Sequence, residues 1–447
     1  MSMELTNLKF RIQALSLGCI LGLFFSTLSD VSNGQLLIEI TQGVERPVPM
    51  AVVPFAWEGS DTEPPMDLAN LITSNLTQSG RFQAISESDM LTRPTLPVDV
   101  NFQDWQLLDV DVLVIGRLRE DSPDRYTAIF QLFDTLRGEQ LLGFRLTSSR
   151  SELRATGHRI SDMIFRNLTG LPGVFETQIA YVSDDRAGPE RRFRLIVSDS
   201  DGANARVIAD SPEPLMSPAW SPDGRKIAYV SFEGESSSVY VQTLRTGVRD
   251  KVSARLGVNG APVFSPDGRK LLLTLTMESG NLDIYSLDLA GQVLTRMTRH
   301  PSIDTEAVFS PDGETIYFTS DRSGGPQIYK VANRPGARAE RVTFEGNYNA
   351  RPRISPSGEE LAVVHQVQGN FRIAVVDPNT GLTQVLTNGM LDESPSFAPN
   401  GAQIIYATRQ RGRGVLASVS VDGRIHRQIV SVEGEVREPV WSPFPRI

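Results

Sequence analysis

The stretch WSPDGRKIAYV at residues 220–230 decides how the chain is read, because it recurs as FSPDGRKLLLT at 264–274 and FSPDGETIYFT at 309–319. Weaker copies follow, so the starts fall at Trp220, Phe264, Phe309, Ile354, Phe397 and Trp441, at intervals of 44, 45, 45, 43 and 44 residues. Each copy spells a hairpin. Pro222 sets φ at about −65° for the second position of a type I turn, Asp223 suits the third, and Gly224 supplies the positive φ of a bulged hairpin. The run IAYV (227–230) reads as a second strand and VYVQTL (239–244) as a third, with Arg245-Thr246-Gly247 turning into a fourth. A period of this length, made only of strands and turns, marks a β-propeller with one four-stranded blade per repeat. The repeated aromatic is expected to face the neighbouring blade, where one such ring buries roughly 150–250 Å².

The two ends of the repeat region complement each other. WSPFPRI (441–447) has no second strand behind it, while residues 177–210 supply second, third and fourth strands with no first. A strand near 436–442 is therefore expected to complete the blade begun at 177, closing six blades and removing the sheet edges. Upstream the pattern mixes helices and strands. Leu68, Leu71, Ile72 and Leu76 share one face of a helix over 66–79, with Gly80 able to end it. VLVIGRL (112–118) and YTAIFQLFD (126–134) read as strands; Ser149 and Glu152 cap a helix over 149–168 that stops at Gly170 and Pro172. His158 falls off that helix's apolar face and is expected in solvent. The expected fold is thus α+β with two domains: a secretory signal at 1–34, a small α/β domain at 35–172, and a six-bladed propeller at 173–447 closed by the C-terminal strand.

Composition narrows the function. A net charge of −9 over 447 residues argues against a nucleic-acid partner. Lys9 and Arg11 precede the apolar run Ile12–Phe25, which is short for a membrane span and reads as the core of a cleaved export signal. The single cysteine, Cys19, lies within it behind Ser16-Leu17-Gly18, a poor lipoprotein signature, so the exported chain is expected to hold together by burial without disulfides. His158, His300, His365 and His426 show no metal-ligand spacing.

In a propeller the first strand of each blade lines the central channel, and the Ser-Pro-Asp-Gly turns lie at its far face. The residues just before each aromatic therefore converge at a mouth: Met216 and Ser217; Asn259, Gly260 and Ala261; Thr305 and Glu306; Asn349 and Arg351; Asp392, Glu393 and Ser394; Arg437 and Glu438. Their mix of carboxylates, cations, amides and small side chains suits protein recognition on a rigid frame. The α/β domain joins the ring at a second strand and is expected on the turn side, opposite the mouth. An enzyme is the competing expectation: Glu306, Asp392 and Glu393 could offer oxygens to a channel Ca²⁺ in a propeller hydrolase or other periplasmic enzyme. No Gly-x-Ser-x-Gly elbow occurs, and no catalytic base with a partner is visible.

PLMSPAWSPDG (214–224), NGAPVFSPDG (259–268), GGPQIYKV (324–331) and LDESPSFAPNG (391–401) resemble the TolB family of the Tol–Pal envelope system, as do VVPFAWEG (52–59) and RATGHRISDMIFRNLTG (154–170). The similarity spans essentially the whole exported chain. It implies a non-enzymatic, monomeric periplasmic protein without a cofactor or membrane insertion, active in outer-membrane integrity and cell division. It further implies that the lipoprotein Pal binds at the mouth, through the residues named above. TolA is implied to engage the N-terminal segment, here Gln35, Leu36, Leu37, Ile38, Glu39, Ile40 and Thr41. Two departures stand out: Val258 replaces a histidine often found before Asn-Gly-Ala-Pro, and Arg351 adds a cation to the mouth.

Overall fold

The computed structural model describes residues 46–186, 191–234, 236–277, 280–430 and 435–445; the signal expected at 1–34 and the segment Gln35–Thr41 lie outside them. The N-terminal part contains β1 (Val48–Val52), β2 (Ala56–Glu58), α1 (Leu68–Gln78), β3 (Phe82–Ala84), α2 (Phe102–Gln106), β4 (Val112–Ser122), β5 (Arg125–Asp134), β6 (Glu139–Ser148) and α3 (Leu153–Thr169). They form one sheet of order β3-β1-β4-β5-β6, with β2 also paired to β4. β1 runs parallel to β3 and β4, and β4-β5-β6 is an antiparallel meander.

Local chemistry sets the helices. Asp67 accepts from the Asn70 N–H at 2.9 Å to start α1, and Gly80 follows it at φ +71°. Glu152 reaches back to the Ser149 N–H at 3.0 Å ahead of α3, and Gly170 ends α3 at φ +75°. The expected apolar faces are buried: Leu68, Leu71, Ile72 and Leu76 on α1, and Leu153, Ile160, Ile164 and Leu168 on α3. Helices α1 and α3 approach closely at Gly157, where a Cβ would come within 2.7 Å of Leu71.

His158 is not in solvent as its place on the helix suggested; it is buried, 2 % exposed. The reason is that α3 covers two surfaces. One face packs on α1 and the sheet. Another meets the propeller, where Arg154 Nε donates to Asp199 Oδ2 at 3.1 Å. The junction continues with Arg427 Nη2 donating to the Thr77 carbonyl at 2.6 Å and Asn400 Nδ2 to the Pro172 carbonyl at 2.9 Å. Asn400 belongs to a repeated turn, so the α/β domain sits on the turn side. Asp162 accepts the N–H groups of Phe175 and Glu176 at 2.8 and 3.1 Å, and burial pushes its carboxyl up to about 6.

Among the described residues the propeller is six four-stranded antiparallel sheets. Five are continuous in sequence; the first runs Leu215–Trp220, Lys226–Ser231, Ser238–Thr243, Arg249–Ser253. In the sixth, Glu435–Trp441 pairs antiparallel with Gln178–Asp185 and serves as its innermost strand, as the two half-repeats require. The turns match their spelling: the Gly224 N–H donates to the Ser221 carbonyl at 2.9 Å, and Ser221 Oγ accepts the Lys226 N–H at 2.9 Å. Each repeated aromatic packs onto the preceding blade. Phe264 lies against Val230 and Val239, Phe309 against Leu272 and Ile284, and Trp441 against Ile405 and Leu416. Trp220 crosses the seam, its Nε1 donating to the Val440 carbonyl at 3.2 Å. No helix among the described residues is long and apolar enough to cross a membrane.

Trp441 also donates to Thr177 Oγ1 at 2.7 Å. Trp441→Ala is expected to cost about 3–5 kcal/mol through the cavity it leaves, read as a lower urea midpoint; a loss no larger than that of an exposed-site variant would contradict the seam's role. A second expectation concerns pH. Burial lowers the His158 pKa from its ordinary 6.5, opposed by Asp201 and Asp199. The unfolded chain then binds the proton first, so stability is greatest above 6.5 and falls as pH drops through that value. From pH 7.5 to 5 the urea midpoint of the unaltered chain should fall relative to that of His158→Gln; the raised Asp162 carboxyl, which acts in the opposite sense, is common to both chains and drops out.

Candidate functional site

The channel mouth is built by one device used six times. Every innermost strand breaks register three residues before its last, at Ser217, Ala261, Glu306, Arg351, Ser394 and Glu438. All six adopt left-handed backbone with φ between +46° and +57°. None is glycine, so each carries a strain of about 1–2 kcal/mol. Five are followed by proline, which donates nothing to the disrupted ladder. The bulges turn these side chains inward, where all six line one cavity on the ring axis, of about 30 Å³.

Charge fills that cavity. The Arg351 guanidinium sits between blades, with Nε 2.9 Å from Glu306 Oε1 and Nη2 3.9 Å from Glu438 Oε1, while Nη1 donates to Ser394 Oγ. The Arg351 N–H donates to Glu306 Oε2 at 3.1 Å, and the Ser217 N–H donates to Glu438. Burial alone would lower the Arg351 pKa, but Glu306, Glu438 and Glu393 outweigh it and raise it. One layer deeper Arg353 lies among Val263 and Val440, donating to the Pro352 carbonyl at 2.9 Å, and burial lowers its pKa.

The expected mouth residues divide by position. Met216 is exposed at the rim; Gly260, Thr305, Glu393 and Arg437 are half-buried beside it. Asn259, Asn349 and Asp392 are instead buried, at 0, 0 and 1 % exposure. Asn259 Oδ1 accepts from Ser253 Oγ at 2.6 Å and the Arg255 N–H at 3.0 Å; Asn349 Nδ2 donates to Gln327 Oε1 at 3.0 Å. Asp392 accepts from Thr408 Oγ1 at 2.5 Å and the Gly389 N–H at 3.1 Å. These three pin the mouth loops rather than face a partner. Asp392 is therefore absent from the channel lining, and the two carboxylates found there, Glu306 and Glu438, already hold a guanidinium. That donor set does not fit Ca²⁺.

Sequence reasoning missed the apolar part of the mouth. The loops that return to this face expose Phe232, Leu256 (93 %), Ile303, Phe344 and Met390 (79 %), in addition to Met216 and Val258. They lie between strands, outside the repeated motif, so no periodicity announces them. Arg437 adds a polar edge, pairing with Asp184 at 3.1 Å and Glu435 at 3.0 Å; hydrogen bonds from Arg191 and Arg186 hold the Asp184 carboxyl down at about 2.

A double-mutant cycle of Glu306→Gln and Arg351→Met, read by urea unfolding, should give a coupling of about 1–2 kcal/mol. A coupling near zero would mean that the channel ion pair contributes nothing to the ring.

Two family models match the chain: the TolB amino-terminal domain over residues 36–141 and the TolB beta propeller domain over 165–445. The Tol-Pal system protein TolB of Thioalkalivibrio sulfidiphilus is 49 % identical over 423 residues, 94 % of this chain and 97 % of that protein. Its counterpart in Xanthomonas oryzae pv. oryzae is 45 % identical over 411 residues, 92 % and 93 % of the two chains. The crystal structure of TolB from Acinetobacter baumannii aligns with a TM-score of 0.83 at 40 % identity, covering 90 % of this chain and 98 % of that one. Both domains, their order and their shared fold thus agree, and the chain belongs to the TolB family of the Tol–Pal system.

Proposed function

We propose that this chain is a non-enzymatic periplasmic adaptor. It binds the lipoprotein Pal at the propeller mouth and TolA through the segment 35–43, and so supports outer-membrane integrity and constriction at division. The observation that carries the reading is the character of the mouth. One face of a rigid ring combines exposed Met216, Leu256, Phe344 and Met390 with a polar centre at Arg351, Glu306 and Glu438. Apolar anchors beside a hydrogen-bonding centre are what a protein partner needs, whereas a cavity of about 30 Å³ is too small for a metabolite. No cofactor or channel cation is needed for this role.

Binding to immobilised Pal tests it. Leu256→Asp and Met390→Asp should each weaken Pal binding at least tenfold, about 1.4 kcal/mol. Val248→Asp, at an exposed site on the turn side, should bind as the unaltered chain does. Equal binding by all three variants would remove the mouth from the proposal. Deleting residues 35–43 should abolish TolA binding and leave Pal binding intact.

A further inference from the structure

One side-chain constellation lies at the domain junction, far from the mouth. Arg154 and His158 stand one turn apart on α3 and face Asp199 and Asp201, at the turn between the propeller strands Arg192–Asp199 and Arg206–Ser211. His158 Nε2 is buried without a hydrogen-bond partner. It points between the two carboxylates, 3.9 Å from Asp199 Oδ2 and 4.0 Å from Asp201 Oδ2. Among the described residues this is the one grouping whose His and carboxylate donor atoms all lie within 4.8 Å of one another. Two metal–ligand bonds of about 2.0–2.2 Å span about 4 Å, so one ion can reach all three donors with sub-ångström movement.

We propose that His158 Nε2, Asp199 Oδ2 and Asp201 Oδ2 bind a divalent transition cation of the Zn²⁺ class, joining the α/β domain to the propeller. One imidazole with two carboxylates suits such an ion; Ca²⁺ and Mg²⁺ favour oxygen ligands alone. The surroundings supply the orienting group. Asn75 Nδ2 lies 3.0 Å from His158 Nδ1 and donates to Ser161 Oγ at 2.9 Å; a flip of the amide exchanges this nitrogen for its oxygen. Turned to present its oxygen, Asn75 accepts the Nδ1 proton and leaves the Nε2 lone pair for the metal.

Arg154 is the competitor. Its guanidinium donates to both carboxylates, yet one cation against two anions leaves the cluster one negative charge in excess while His158 is neutral. Arg154 also lines a cleft of about 410 Å³ with Ser151 and Asn204, which has room for the displaced guanidinium and for waters completing the coordination. The carboxylate pair therefore has two alternative partners: Arg154, helped by the Asn204 amide that donates to Asp199 Oδ2 at 2.8 Å, or the ion. The sequence hides this site because its ligands come from two domains, His158 on α3 and the Asp199-Ser200-Asp201 pair in the propeller.

Calorimetric titration of the untagged, purified full chain with ZnCl₂ tests the assignment. The expected result is one Zn²⁺ per chain, with affinity reduced at least tenfold in His158→Ala and in Asp201→Asn, and raised in Arg154→Gln. Zn²⁺ should also raise the Tm of the unaltered chain and not that of Asp201→Asn. Should His158→Ala fail to fold, Asp201→Asn and Arg154→Gln carry the test. Failure of Arg154→Gln to take up one equivalent overturns the proposal. So does equal uptake by Asp201→Asn, which marks the ion as adventitious.

Discussion

A blade of four twisted strands has two apolar faces and cannot cover either by itself. Every blade in this ring buries both against its neighbours, and the residue at the end of the innermost strand makes each contact, an aromatic in five blades and Ile354 in the other. Trp220, Phe264, Phe309, Phe397 and Trp441 each lie on the blade before them. Because the requirement is the same for every blade, the stack has no acceptable terminus and must return to its start. Closure by Glu435–Trp441 on Gln178–Asp185 is the physical solution. The rest follows from it: a rigid frame, an axis lined by six equivalent positions, and two faces with different chemistry.

Those two faces differ because the repeat treats them differently. The turn face repeats the same letters, and its glycines sit beside the preceding turn's proline: Gly268 near Pro222, Gly313 near Pro266, Gly358 near Pro311. Uniform turns make a uniform floor, on which the α/β domain rests. At the mouth, the left-handed bulge keeps only the backbone constant and leaves the side chain free to vary from Ser217 to Glu306 to Arg351. Backbone strain carried six times over is compatible with the fold because the hydrogen bonds on either side of each bulge over-determine it.

The blade count, the turn chemistry, the closing strand and the amphipathic faces of α1 and α3 were legible in the sequence, because each leaves a period or a capping pattern. Strand β6 was not. It is mostly exposed along its length, so burial never imposes an alternation on it. His158 was misplaced because a helix wheel reveals one apolar stripe, and the second face of α3 is buried through polar contacts with Asp199 and Asp201. At the mouth, sequence located the right stretch of each strand but could not separate Asn259, Asn349 and Asp392, which pin loops, from Glu306 and Arg351, which reach the channel. Positions two apart on a strand normally share a face, and only the bulge sends them different ways. Leu256 and Met390 escaped notice because loop residues obey no period at all.

The seam also has a consequence in time. Trp441 and Thr177 are 264 residues apart, so the blade that begins the ring is the last to be finished. Until Glu435–Trp441 has emerged, Gln178–Asp185 presents an unpaired edge, and no amount of local folding can cover it. Distance along the chain itself adds little to the equilibrium cost of closure, since loop entropy grows only logarithmically. What distance sets is order: five blades can assemble as they appear, while the sixth waits. A chain cut before Glu435 would keep Gln178–Asp185 as an open edge, the kind of surface on which chains aggregate.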